Sequence, residues 1–282
     1  MNKTRTDVRG AAIYRHILPA VVLIFLCCFA AWALMQDGVG RWPMAAGTQV
    51  YTGGKLCVDA SNVSEGYFIA SAPEGSKHRL KLRVVKEETT LTYDLSAEGK
   101  EEVFPLQLGS GEYEISLYEN LSGKKYAQSG TVQLAVQLAD ENLPFLYPNQ
   151  YVNYTQDSPI VETAIGLGAE AGEKEAFEAV CSYIASEYVY DFIRAVTISP
   201  GMLPDIPGCY EKRMGICQDL SAMMVGMLRV LGIPSRLVIG YADDNYHAWT
   251  VSIVDGQEIF YDPTAALNAI ETPREYTVER YY

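Results

Sequence analysis

Near residue 159 the hydrophobic period of this chain switches from two to about 3.6, so one end must be built of strands and the other largely of helices. Before the switch, Leu80, Leu82 and Val84 alternate with Lys81 and Arg83, and Tyr113, Ile115 and Leu117 with Glu114 and Ser116. Val132, Leu134, Val136 and Leu138 alternate with Gln133, Ala135 and Gln137. Successive strand side chains point to opposite faces, so each run covers a core with one face and meets water with the other. Turn clusters at Pro73-Glu74-Gly75-Ser76, Glu98-Gly99-Lys100 and Leu121-Ser122-Gly123 separate the runs. Short strands at this spacing predict an antiparallel β-sandwich over residues 50–139. Within it, His78 reads as a surface histidine and Cys57 as a small core residue.

Residues 140–158 form a linker, broken by Pro144, Pro148 and Asn149, whose Phe145, Tyr147, Tyr151 and Tyr154 imply packing against a domain. Beyond Pro159, Phe177, Val180, Cys181, Ile184 and Tyr188 recur at helical steps, with Glu173, Glu175 and Glu178 on the opposite face. A Pro- and Gly-rich stretch over residues 199–214 reads as an irregular loop. A second apolar helix opens at Cys217, carries Leu220, Met224, Met227, Leu228 and Leu231, and closes at Gly232 with Pro234 beyond. Strand-like runs follow at residues 236–241, 246–254 and 258–261, and residues 271–282 give no clear signal. The fold class is α+β, with the second domain at residues 159–282.

Residues 1–16 are basic (Lys3, Arg5, Arg9 and Arg15 against Asp7), and residues 17–36 then run without a formal charge. At ~1.5 Å per residue a helix of that length matches the hydrocarbon core of a bilayer. The basic flank stays in the cytoplasm by the positive-inside rule, which predicts a single-pass membrane anchor with everything beyond Asp37 outside the cell. Ala31-Trp32-Ala33 resembles a signal-peptidase site, so secretion after cleavage is the competing reading; the length of the run favours the anchor. The whole chain has 22 Lys and Arg against 35 Asp and Glu, a net charge of −13, which argues against a nucleic-acid partner. Six Cys and three His without zinc-ligand spacing, and no acidic loop of calcium-binding spacing, imply neither a metal nor an organic cofactor.

Chemistry gathers in three stretches. In Gly215-Ile216-Cys217-Gln218-Asp219 a thiol sits at the first turn of a helix, where unpaired N–H groups and the helix dipole favour thiolate, the nucleophilic form. In Tyr246-His247-Ala248-Trp249 a histidine lies on a strand; His16 belongs to the N-terminal flank and His78 to the sandwich, so a histidine base in this domain is His247. In Tyr261-Asp262-Pro263-Thr264 a carboxylate stands at a strand end, where Pro263 takes the chain out of the ladder. Such a carboxylate orients an imidazole and steadies the imidazolium. The spacing is 30 residues from Cys217 to His247 and 15 more to Asp262. Taken singly, each residue also reads as a packed core or turn residue. Asp219 reads as support for the first helical turn, and Trp249 as a shield over the imidazole or as core. Tyr188, Tyr190 and Asp191 read as structural. Cys209 is a loop thiol or a partner for Cys181 or Cys57.

Gly-Ile-Cys-x-Asp, Met-Leu-Arg-x-Leu-Gly-Ile-Pro, Gly-Tyr, His-Ala-Trp and Asp-Pro-Thr follow one another over residues 158–269, and in that order they resemble the transglutaminase-like superfamily. The resemblance implies a papain-like cysteine-protease core with Cys217 as nucleophile, His247 as general base and acid, and Asp262 as orienter. It also makes an N-terminal β domain before the core a familiar arrangement in exported bacterial members. The shared chemistry is acyl transfer through a thioester, resolved by water in a peptidase or amide hydrolase and by a lysine-type amine in a crosslinking transglutaminase. Hydrolysis is the leading reading, with a protein or peptide of the cell wall or surface as substrate. A surface-binding module with an inactive core is the alternative outside enzymology. The oxyanion needs two donors: the Cys217 N–H supplies one, and Tyr210 or Gln218 is a candidate for the other.

Overall fold

The computed structural model describes residues 39–270 and 274–282. Eight antiparallel strands come first: β1 (Val50–Gly53), β2 (Leu56–Asp59), β3 (Tyr67–Ser71), β4 (Leu80–Lys86), β5 (Thr89–Leu95), β6 (Glu102–Pro105), β7 (Gly111–Ser122) and β8 (Lys125–Val136). They form two four-stranded sheets, ordered β1-β2-β3-β6 and β5-β4-β7-β8. The period-two runs behave as alternation requires, with Leu80, Leu82 and Val84 of β4 buried and Lys81 and Arg83 turned outward. Rings join the sheets: Tyr93 of β5 meets Phe104 of β6 at 5.2 Å, and Phe104 stacks on Phe68 of β3 at 5.4 Å. The pleat of β2 corrects one expectation, because Leu56 and Val58 take the inward face and Cys57 between them is only half-buried.

Helices and one antiparallel sheet follow. The helices are α1 (Pro159–Gly168), α2 (Glu173–Glu187), α3 (Phe192–Thr197), α4 (Ile206–Lys212), α5 (Cys217–Val230) and α6 (Pro263–Leu267). A short parallel pair, β9 (Val189–Tyr190) with β10 (Met214–Gly215), brackets α3 and α4. The sheet is ordered β13-β12-β11-β14, from β11 (Ser235–Ala242), β12 (Asn245–Val254), β13 (Gln257–Tyr261) and β14 (Tyr276–Tyr281). Helix α5 is the core element: it packs on β11 and β12 and against α1, α2 and α4, and Leu220, Met223, Met224, Met227 and Leu228 are fully buried. It ends as its sequence predicts, with Gly232 in the left-handed region at φ +79°.

Two expectations are corrected here. Residues 199–214 are not irregular throughout, because Asp205 accepts a hydrogen bond from the Gly208 N–H and Pro207 sits in the first turn, which together start α4. The tail contains β14, an edge strand with a mostly exposed face, which is why no apolar alternation announced it. A side chain at Gly240 of β11 would meet the Thr277 carbonyl at 2.0 Å, so only glycine lets β14 approach this closely.

The linker packs as its aromatic content predicts, with Phe145, Tyr147 and Tyr154 buried. Arg229 of α5, with no exposed surface, donates to the carbonyls of Tyr147 at 2.6 Å, Ser235 at 2.9 Å and Tyr282 at 2.9 Å. Tyr282 stacks on Tyr151 at 3.5 Å, and Gln107 before β7 hydrogen-bonds the Tyr281 carbonyl. Gly40–Tyr282 therefore packs as one unit. The charge-free run at residues 17–36 lies outside the described residues; among the described residues no helix is long and apolar enough to cross a membrane.

Candidate active site

Cys217 is the first residue of α5 and is half-buried. The turn that presents it is tied from below by Asp219, whose carboxylate accepts from the Ile216 N–H at 3.0 Å and the Asp205 N–H at 2.9 Å, and pairs with Arg194 of α3. Asp219 has no solvent exposure, so the Arg194 guanidinium and the two N–H donors are what make its burial tolerable. Its expected support of the helical turn is thus seen, and it also anchors α3.

His247 lies on β12, opposite Gly240 of β11. Its Nε2 is 2.8 Å from Asp262 Oδ2, which leaves the other ring nitrogen outside that pairing, and the Cys217 thiol lies near enough to act on the imidazole electrostatically. Asp262 caps α6, with Oδ1 accepting from the Thr264 and Ala265 N–H groups at 2.9 and 3.0 Å. Helix, strand and strand end thus bring Cys217, His247 and Asp262 together.

The electrostatics favour an ion pair. Burial alone depresses the His247 imidazolium, but the hydrogen bonds to Asp262 and Cys217 and the charges of both outweigh it, and His247 is raised to about 9. Burial likewise pushes Asp262 upward, yet the His247 bond and charge, the Ala265 N–H and the Tyr276 hydroxyl hold it below the usual carboxylate range. Trp249, two residues along β12 and fully buried, stacks near the imidazole at 6.3 Å.

Two tyrosines read from sequence as structural or silent stand at the site. Tyr276 of β14 donates to Asp262 Oδ2 at 2.7 Å, the oxygen that also meets His247, and its ring packs on Trp249 at 5.0 Å and Phe260 at 4.7 Å. Tyr190 pairs with Gly215 across β9 and β10, which sets it beside Cys217, and the two side chains couple electrostatically. Burial first, then the Cys217 charge, pushes Tyr190 up to about 12, so it keeps its proton over the physiological range. Neither carried a sequence signal, since both depend on strand pairings too short or too exposed to show a pattern. Of the two oxyanion candidates, Tyr210 shares a hydrogen bond with Thr163 at 2.8 Å and lies under the Arg213 guanidinium. Gln218 stays beside Cys217, its amide donating to the Met202 carbonyl at 3.2 Å.

The sequence model described as the transglutaminase-like superfamily matches residues 162–263, a span that contains all three residues. These residues are a transglutaminase-like domain. No curated protein matches the chain. Among solved structures, a candidate cysteine protease from Cytophaga hutchinsonii is similar at 15% identity and a TM-score of 0.39, over 77% of this chain and 83% of that one. The periplasmic domain of TgpA from Pseudomonas aeruginosa, solved with ethylmercury, is similar at 14% identity and a TM-score of 0.36, over 78% and 77% of the two chains. A TGase is similar at 19% identity and a TM-score of 0.36, over 44% of this chain and 36% of that one. Within the transglutaminase-like domain Cys181, Cys209 and Cys217 are all free thiols, as is Cys57 ahead of it. Burial raises Cys181 and Cys209 to about 12, which leaves them poor nucleophiles. Among the described residues no group of three His, Cys, Asp or Glu is placed to hold a metal ion.

Proposed function

We propose that the transglutaminase-like domain is a cysteine amide hydrolase acting on peptide or protein substrates. The observation that carries this reading is the alignment of Asp262, His247 and Cys217, with the thiol at the start of a buried helix and an imidazole raised to about 9. The Cys217 thiolate attacks the amide carbonyl, and the new oxyanion is met by the Cys217 N–H. The Tyr190 hydroxyl, set beside Cys217 by the pairing of β9 with β10, is the second donor in this reading. As the C–N bond breaks, the His247 imidazolium gives its proton to the departing amine and a thioester remains. Water then attacks the thioester, His247 takes the water proton, and the carboxylic acid leaves as the thiolate is restored. Asp262 stays ionised and orients the imidazole throughout.

The basic flank followed by the charge-free run of residues 17–36 supports a membrane-anchored enzyme with its catalytic domain outside the cell, working on wall or surface polypeptides. The decisive experiment incubates residues 37–282 with N-acetyl tripeptide 4-nitroanilides, with and without a lysine-type amine, while iodoacetamide labelling is followed from pH 4 to 9. Nitroaniline release that needs Cys217 and yields free acid supports hydrolysis. Product carrying the added amine instead of free acid makes the enzyme a crosslinking transglutaminase. Labelling of Cys217 no faster than that of Cys209 and indifferent to His247→Ala removes the enzymatic reading and leaves a binding module.

A further inference from the structure

Beside the nucleophile lies a surface with no role in the triad. On α3, Phe192 is 66% exposed, Ile193 78% and Val196 85%. Residues three and four apart share a helix side, so Phe192 and Ile193 with Val196 make one outward apolar face. Met202, five residues after the end of α3, is 58% exposed. Scattered apolar residues on a surface need no explanation, but a contiguous group on one short helix does.

This helix is fixed firmly in place. Asp191 caps it by accepting from the Arg194 N–H at 2.9 Å, and Arg194 turns under it to pair with the buried Asp219. Both ends of the surface lead to Cys217. The Phe192 ring packs edge-on against Tyr190 at 4.9 Å, and Tyr190 pairs with Gly215, two residues before Cys217. The Met202 carbonyl is held by Gln218, the residue after Cys217. An extended peptide advances ~3.3 Å per residue, so a side chain lying at the Phe192 end of α3 belongs to a residue close in sequence to the attacked amide. From Val189 to Met202 the charged residues are Asp191 and Arg194, and each is occupied inside the fold. In a chain of net charge −13 this flank of the thiol is thus neutral and apolar, which matches an apolar side chain and offers no basic group to an anionic lipid surface.

We propose that α3 and Met202 form the specificity subsite of the enzyme, receiving a large aliphatic or aromatic side chain of an extended peptide next to the scissile amide. The inference rests on the amide-hydrolase reading for its location and names the substrate class. The test compares N-acetyl tripeptide 4-nitroanilides carrying Leu, Phe, Ser, Asp or Lys at the middle position, with wild type, Ile193→Asp and Val196→Asp. Wild type favours Leu and Phe over Ser and Asp in kcat/KM by roughly 10- to 200-fold, the range for filling an apolar pocket. Both variants lose that preference while iodoacetamide still alkylates Cys217 at the wild-type rate, which shows the site is intact.

The same peptides as uncleavable amides are titrated against Cys217→Ala, so the subsite is read without turnover. Tighter binding of the Leu and Phe peptides, abolished by adding Val196→Asp, upholds the subsite even if no nitroanilide is cleaved, in which case the hydrolase reading alone fails. Variants that keep the wild-type preference overturn the proposal. So does a surface that binds phosphatidylcholine vesicles through Ile193 and Val196 while discriminating no peptide.

Discussion

The two sheets of residues 50–136 and the transglutaminase-like domain treat buried polarity in opposite ways. Among the described residues of the first region, Asp59 is the one charged side chain that is buried, and it merely closes a turn by accepting from the Gly47 and Ser61 N–H groups. Apart from the uncharged Gln107 and Ser116, its core is rings and aliphatic side chains on alternating faces. The second region buries Asp219, Arg229, His247 and Asp262, each with a hydrogen-bonded partner. Burying a charge is costly unless it is paired and hydrogen-bonded. A fold that does so repeatedly within one span, beside a half-exposed thiol, has placed its chemistry there.

The contrast is broken most severely at the triad. Cys217→Ala or His247→Ala removes peptide amide turnover by about 10³-fold or more, and Asp262→Asn by about 10²- to 10⁴-fold, read as kcat/KM on a nitroanilide. No substitution in β4 or β7 that leaves the protein folded has an effect of this size.

Stability is the next level. Arg229→Met strands the carbonyls of Tyr147, Ser235 and Tyr282 and lowers unfolding free energy by about 3 kcal/mol or more in urea titration. An apolar trim in the other region, Ile115→Val, costs about 1 kcal/mol. Equal losses at both positions would erase the distinction between the regions.

The pH dependence sharpens it. His247 is raised from 6.5 to about 9, so its stabilising pairing is complete below about pH 6.5 and fades as pH climbs through 9. Asp262 is lowered, so its contribution is present above pH 3.8 and is lost only in stronger acid. Urea midpoints of wild type and His247→Gln therefore converge toward pH 9, and in Asp262→Asn the alkaline limit of turnover moves to lower pH. The smallest effect belongs to Tyr276→Phe. It removes one donor from Asp262 Oδ2 but leaves His247 and two N–H groups in place, so kcat falls by about tenfold or less, given that a net hydrogen bond is worth about 1 kcal/mol.

Period and punctuation by themselves determined the alternating strands of the first region, the apolar helix that begins at Cys217 and stops at Gly232, and β11, β12 and β13 within a residue of their ends. The order of the motifs also marked Cys217, His247 and Asp262, because a nucleophile, a base and an orienter each carry a local signature in residue type and setting. Tertiary structure alone decided what surrounds them. Tyr276 reaches Asp262 only because β14 settles against Gly240, an edge pairing with too little buried surface to leave a pattern in the chain. Tyr190 reaches Cys217 through a two-residue parallel pair, and α3 is held with its apolar side outward by an ion pair between residues 25 apart. Local periodicity records which face of an element is buried; contacts between elements distant in sequence are recorded only when the elements meet.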